Sequence, residues 1–520
     1  MTSSNSYKAT DMIASIVGSV RKKGIELWVE NSQLRYKGPR GALTQEDIER
    51  LKLSRDQIVA LLEKLIGAEN TEQKIEARSR VAPTPLAFSQ LAHWHLYRLS
   101  ERRAIRQVAS ATRLHGRLDV NALQNSIAAV VRRHDALRTR IVVIDGVPMQ
   151  EVADSVDFEL EISNLTDFTE SLREAEVTRL IESQILQPID VAVDPLFGAR
   201  LLKLRDDEHV LIMTMEHMIS DGVSRNILLQ DLFTIYTQAL KSQDFSLPKI
   251  PVQFADYAVW QRNTDASWIE KHGAYWNKSL AECQRLRFPD DAISAIASEP
   301  GWGIIPVLIG TELKTELREW CRLRRTTLVM SVFTAYVGLV LRWCNASEAI
   351  IQYQSDGRVS PEIQNTIGLF ASVLYIRAKI LEEDNFIDLL SRVTDQYCKA
   401  YEHADFSYFA AQVPRPQIAR SSAFNWVPQG SKFDSFRSED GLTCSPVKFV
   451  HPMARDMDVD AEPSIELFET ENDEIAGGVW FPLNRFSVET MERLERNFLV
   501  FIRALLRQPE GRVRDILLVK

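Results

Sequence analysis

The sequence predicts an α/β protein of more than one domain, and three observations carry that expectation. The chain is 520 residues long, too long for one hydrophobic core, so two to four domains of roughly 100–200 residues each are expected. From Val81 onward, segments of helical period alternate with segments of strand period. Polar stretches at 67–80 and, bearing proline, around 240–252 punctuate the chain and read as boundaries.

The composition fits a globular chain, with 45% hydrophobic and 26% charged residues. The net charge of -9 argues against bulk attraction to nucleic acid or an anionic membrane, and neither is expected as a partner. Cys283, Cys321, Cys344, Cys398 and Cys444 are scattered, odd in number and form no CxxC pair. A disulfide framework and a structural zinc site are therefore not expected, and a reducing cytoplasm fits. The N-terminal MTSSNSYKATDM lacks the layout of a secretory leader.

In chain order, residues 9–23 read as an amphipathic helix with Met12, Ile13, Ile16 and Val20 on one face, stopped by Gly24. IELWVE, NSQ and LRYKG read as a hairpin. Thr44 with Asp47, and Ser54 with Gln57, have the spacing of helix starts. A small unit over 1–66 and a linker over 67–80 follow from this. Segment 165–190 reads as a helix, 198–217 as two strands about a turn, and 224–240 as a helix. A first lobe is expected over 81–252 and a second over 253–520. The second opens on the apolar segment 327–344, a buried core helix rather than a membrane span. Ser331, Thr334 and Tyr336 interrupt it, and Arg324, Arg325 and Arg342 flank it. Strands follow at 349–356 and 373–380, and the Pro-, Ser- and Gly-rich stretch 411–440 reads as loops.

The stretch EHMISDG, 216–222, concentrates the chemistry. A strand over 209–217 would run straight into a turn and a helix near Ser224, leaving His217 at a strand end beside a tight turn that Gly222 permits. Alternation along a strand would point Glu216 and His217 to opposite sides. Asp221 can brace the turn or pair with an arginine. The helix N-terminus beyond offers N–H groups to negative charge. A neutral imidazole there can take a proton from an attacking amine or hydroxyl while donors hold the oxyanion. No G-x-S-x-G nucleophile turn and no H-E-x-x-H metal motif is present.

The motifs around it resemble the condensation-domain family of nonribosomal peptide synthetases, whose core is H-H-x-x-x-D-G. In the family's order, the chain carries FSQLAHW (Phe88–Trp94), RRHDALRTR (Arg132–Arg140), EHMISDG and FADYAVWQ (Phe254–Gln261). SDGRVSPE with IGLFASVLYIR (Ile367–Arg377), HADFSYF (His403–Phe409) and FNWVPQ at 424–429 complete the series. The resemblance implies two chloramphenicol-acetyltransferase-like lobes in a V, with a tunnel between them that carrier-protein phosphopantetheine arms enter from opposite faces. No cofactor would be bound by the chain itself. His217 would be the general base or aligner of the nucleophile, Asp221 a structural residue paired with Arg133, Arg138 or Arg358, and Gly222 an oxyanion donor. Two departures stand out: the family's first His is Glu216 here, a buried scaffold residue, and its Val-Asn-Thr is Ala371, Ser372 and Val373, which makes Ser372 a substrate contact.

The N-terminal unit resembles the β-hairpin docking domain of such synthetases. An upstream peptidyl or acyl carrier protein would add its C-terminal tail as a strand, with Lys22, Lys23, Arg35, Lys37 and Arg40 meeting an acidic tail. The function implied is transfer of an acyl chain from a carrier-protein thioester to an amine or hydroxyl, giving an amide or ester. The chain is either standalone, and then able to release a finished product, or cut from a longer synthetase. The competing readings are a CoA-dependent acyltransferase, which shares H-x-x-x-D-G but normally adds a D-F-G-W-G string absent here, and a silent carrier-binding scaffold.

Overall fold

The computed structural model describes residues 26–30, 33–37, 75–78, 82–99, 107–241, 247–264, 266–283, 286–291, 301–358, 360–406, 421–427, 437, 441–447, 460–470 and 472–519. The helices expected at 9–23 and after Thr44 and Ser54, together with Lys22, Lys23 and Arg40, lie outside them. The hairpin is present: β1 (Glu26–Glu30) and β2 (Gln33–Lys37) pair antiparallel, with Trp28 opposite Arg35 and Glu30 opposite Gln33. Two residues join them, the shortest common hairpin connection. Lys37 ends β2, and Arg35 is exposed.

The first lobe runs β3 (Thr84–Pro85), α1 (Phe88–Leu99), β4 (Gln107–His115), α2 (Val120–Arg133), β5 (Thr139–Ile144), β6 (Val147–Val152), β7 (Glu161–Asn164), α3 (Glu170–Ile185), β8 (Phe197–Arg205), β9 (Glu208–Glu216) and α4 (Gly222–Lys241). Helices α5 (Phe254–Arg262) and α6 (Ala266–Ser279) lead onward. The second lobe runs β10 (Trp302–Ile309), α7 (Thr311–Arg324), α8 (Leu328–Trp343), β11 (Glu348–Ser355), β12 (Ser372–Lys379), α9 (Phe386–Tyr401), β13 (Ala423–Val427), β14 (Thr443–Pro446), β15 (Ser464–Glu469), β16 (Ile475–Pro482) and α10 (Val488–Arg507). The fold is α/β, and its two large sheets are the five-stranded β14-β4-β9-β8-β7 and the six-stranded β10-β16-β15-β13-β11-β12. A smaller sheet has the order β3-β6-β5.

Helix α8 shows why the apolar segment is a core helix. Every residue from Met330 to Leu341 is buried. One side meets the six-stranded sheet, where Phe333 lies 5.0 Å from Phe424, and another meets α10, where Tyr336 lies 6.1 Å from Phe498. A helix apolar all round needs partners all round. No single described helix is long and apolar enough to cross a membrane.

Three boundaries differ from expectation. β14 leaves the second half of the chain and pairs antiparallel with β4, Cys444 opposite Leu114, so the division at 252 does not separate the sheets. The stretch 67–80 is not all linker: Ile75 is buried with Val252, Phe254 and Tyr257, and the Arg78 N–H donates to Asp256 Oδ1 at 3.0 Å. Within 411–440, β13 is an inner strand, parallel to both β11 and β15. Its five residues, AFNWV, are too few to show a period between polar flanks.

Candidate active site

The β9 strand stops at Glu216, and His217–Ile219 form a 3-10 turn before Ser220 and the start of α4. His217 is therefore one residue beyond the strand, and the turn rather than strand alternation sets its direction. Three contacts hold that turn. Ser220 Oγ donates to the Glu216 carbonyl at 3.0 Å, Gln90 Nε2 donates to the Met218 carbonyl at 3.0 Å, and the Glu216 N–H donates to the Leu196 carbonyl at 2.8 Å. Glu216 is buried opposite Gln107 of β4.

The half-buried His217 ring places Nδ1 2.8 Å from the Ser220 carbonyl oxygen. A carbonyl can only accept, so Nδ1 carries the hydrogen and a neutral ring keeps its lone pair on Nε2. That is the tautomer a general base needs. The His93 ring, on α1, is tilted 32° against it with centroids 4.7 Å apart.

Asp221, 1% exposed, joins the lobes. Its Oδ2 accepts from Arg358 Nη1 at 2.8 Å and from the N–H groups of Phe370 and Ala371 at 3.1 and 3.2 Å. Its Oδ1 accepts from Arg358 Nη2 at 3.1 Å and caps α4 through the Ser224 N–H at 2.8 Å. Burial alone would raise this carboxyl, but the Arg358 guanidinium and the Ser224 donors outweigh it and hold it below its ordinary value. Arg358 also donates to the Thr366 carbonyl at 3.2 Å and lies over the Phe370 ring. Two glycines let the second-lobe loop approach this closely. Gly357 has φ 63° and would drive a Cβ to 1.9 Å from the Phe370 oxygen, and a Cβ on Gly368 would meet Phe254 at 2.1 Å.

Of the three candidate arginines, Arg358 alone faces Asp221. Arg133 Nε donates to Asp231 Oδ2 at 2.7 Å, an oxygen that also lies 2.8 Å from His134 Nε2. Arg138 Nη2 donates to Asp135 Oδ1 at 2.7 Å, and its other donors serve the Val131, Ala153 and Asp154 carbonyls. Both brace the end of α2. Gly222 needs no special backbone, since its φ is not left-handed; it is the exposed first residue of α4, with no atom within 4 Å of an added Cβ.

Ser372 opens β12 opposite Ser355. The pleat puts it on the side of Leu374 and of Tyr353, whose ring meets Phe333 of α8. Val373, beside Gln354, takes the other face. Sequence reasoning missed Gln90 and Ser224. Gln90 lies three residues before His93, one helical turn, so the two share the α1 face toward the 3-10 turn. Ser224 lies three residues after Asp221, where a capped N–H sits. Among the described residues no group of three or more His, Cys, Asp or Glu could hold a metal ion.

Known proteins resemble this chain in sequence and in fold. Residues 82–520 match the condensation-domain family model, and residues 13–64 match that of the TubC N-terminal docking domain. A linear gramicidin synthase protein of Brevibacillus parabrevis is 30% identical over 420 residues, 80% of this chain. The chain spans only 8% of that synthase protein's length. The X-domain from teicoplanin biosynthesis superposes with a TM-score of 0.72 at 22% identity, covering 86% of this chain and 100% of that one. The first condensation domain of the calcium-dependent antibiotic synthetase gives 0.66 at 15%, covering 84% and 100%.

Proposed function

The chain belongs to the condensation-domain family, and from that premise we propose that it transfers an acyl chain from a carrier-protein thioester to an amine or hydroxyl acceptor. The observation that carries this reading is the His217 tautomer: Nδ1 bonds the Ser220 carbonyl, which puts the lone pair of the neutral ring on Nε2, beside the exposed Gly222 at a helix start. Nε2 takes the acceptor's proton as its lone pair attacks the thioester carbonyl. The N-terminal N–H groups of α4 face the developing oxyanion, the C–S bond breaks, and the carrier's thiol leaves with the proton. A free amine or alcohol as acceptor would make the step a chain release. The reaction can be tested with an acyl-carrier donor and a panel of amines and alcohols, product being read by mass. Turnover at comparable efficiency with acyl-CoA would favour a CoA-dependent enzyme instead.

A second reading, a silent carrier-binding scaffold, is favoured by Glu216 in place of the family's first His. Binding of the loaded carrier without turnover would establish it.

Gly222→Ala separates the readings further. The added methyl meets no protein atom, so stability should stay within about 0.5 kcal/mol of the parent. Crowding the reacting carbonyl should lower kcat/KM by about tenfold or more. An alanine variant with full activity would remove Gly222 from the site.

The docking unit supplies the donor's address. Deleting residues 1–66 should weaken transfer from the cognate carrier on the order of tenfold or more while sparing a small soluble thioester. Equal loss with both donors would count against docking through this unit.

A further inference from the structure

The six-stranded sheet has two faces with different neighbours. Tyr353 and Phe424 point to α8, where both rings meet Phe333. Side chains alternate along a strand, so Gln354, Asn425 and Glu466, set side by side on β11, β13 and β15, point the other way. Gln354 is exposed, and Asn425 and Glu466 are half-buried. The row continues into Gly478 of β16, which adds no side chain. Asn425 Nδ2 donates to Glu466 Oε2 at 2.8 Å. A carboxylate only accepts, so this bond fixes the amide and leaves Asn425 Oδ1 and Glu466 Oε1 as two neighbouring acceptors.

The first turn of α4 carries Arg225 within electrostatic reach of this face. Arg225 is three residues after Gly222 and shares its side of the helix. It acts on Glu466 electrostatically, lowering the carboxyl. Burial pushes the Glu466 carboxyl above its ordinary value, and Asn425 and Arg225 oppose that only in part. Glu466 thus lies two strands from β11, and Arg358 just beyond the end of β11 holds Asp221 beside Gly222.

We propose that Glu466, oriented by Asn425, is a specificity-determining residue that holds an ammonium or similarly donor-rich group of the acceptor, distinct from the attacking amine. An ammonium offers three donors, enough for Glu466 Oε1, Asn425 Oδ1 and a third partner. Arg225, within electrostatic reach of Glu466, disfavours a cation on its own side. The proposal rests on the acyl-transfer reading above and names the class of acceptor for it.

The test compares a six-carbon diamine with the matching monoamine as acceptors of a small acyl thioester, alongside calorimetric binding of both amines without donor. The parent enzyme should prefer the diamine by about tenfold in kcat/KM, roughly 1.4 kcal/mol. Glu466→Gln should bring the two acceptors to near parity in kcat/KM, and Asn425→Ala should lose part of the preference. An unchanged ratio in Glu466→Gln, or no preference in the parent, overturns the proposal. If neither amine is acylated but the diamine binds the parent about tenfold more tightly than Glu466→Gln, the acyl-transfer reading fails and the Glu466 site stands. If diamine binding is indifferent to Glu466→Gln, the site fails whatever the turnover.

Discussion

Replacing His217 with alanine is expected to slow acyl transfer by about 10²–10⁴-fold and to leave thermal unfolding nearly unchanged. Both halves follow from how the turn is built. The ring bonds the Ser220 carbonyl through Nδ1, while the turn is held independently by Ser220 Oγ on the Glu216 carbonyl and Gln90 on the Met218 carbonyl. Removing the imidazole therefore removes the Nε2 lone pair and little of the scaffold. The readout is product from an acyl-carrier donor, with the unfolding midpoint as control. Activity that survives the substitution would mean that positioning of the reactants, not proton removal, supplies the rate. A midpoint that drops steeply would make His217 a structural residue.

Much of this site was legible because it is local. The run HVLIMTM announces a strand, NILLQDLF announces a helix, and the short interval between them must turn; the motif order then supplied the family. What was not legible is whatever long-range pairing decides. Strand period runs smoothly into His217, and only the hydrogen bonds of the turn end the strand at Glu216. Three arginines were equally plausible partners for Asp221, and Arg358, 137 residues away, wins through a loop that Gly357 and Gly368 allow to close in. β14 is four residues, TCSP, whose partner β4 lies more than 300 residues earlier, and no local pattern can announce that. Ser372 was chosen from a motif, whereas its facing is fixed by register with Ser355. Glu466 lies in no motif at all; it stands out only once β13 and β15 are set side by side.

Replacing Arg358 with methionine is expected to cost about 3–5 kcal/mol of stability, because it strands a buried carboxylate. Swapping both members, Asp221→Leu with Arg358→Met, should not restore it. A well-packed apolar pair can often replace a buried ion pair, but Asp221 also receives the N–H groups of Ser224, Phe370 and Ala371, and these would lose their acceptor. The pH dependence distinguishes this account from simple loss of packing. In the parent the folded carboxyl lies below its ordinary value. Its contribution is therefore complete above the unfolded carboxylate value of about 3.9 and is lost as the pH falls through the folded value. Without Arg358 the largest remaining influence is burial, which raises the carboxyl. The variant's Asp221 would then favour the folded state only when protonated, and stability should decline as the pH rises from about 4 toward neutrality. Across that range this residue's share of the unfolding midpoint should be level in the parent and fall in the variant. Parallel profiles would show that Asp221 keeps its charge without Arg358, and the two lobes would then be joined by Ser224 on Gly368 and Ser89 on Leu369 rather than by the ion pair.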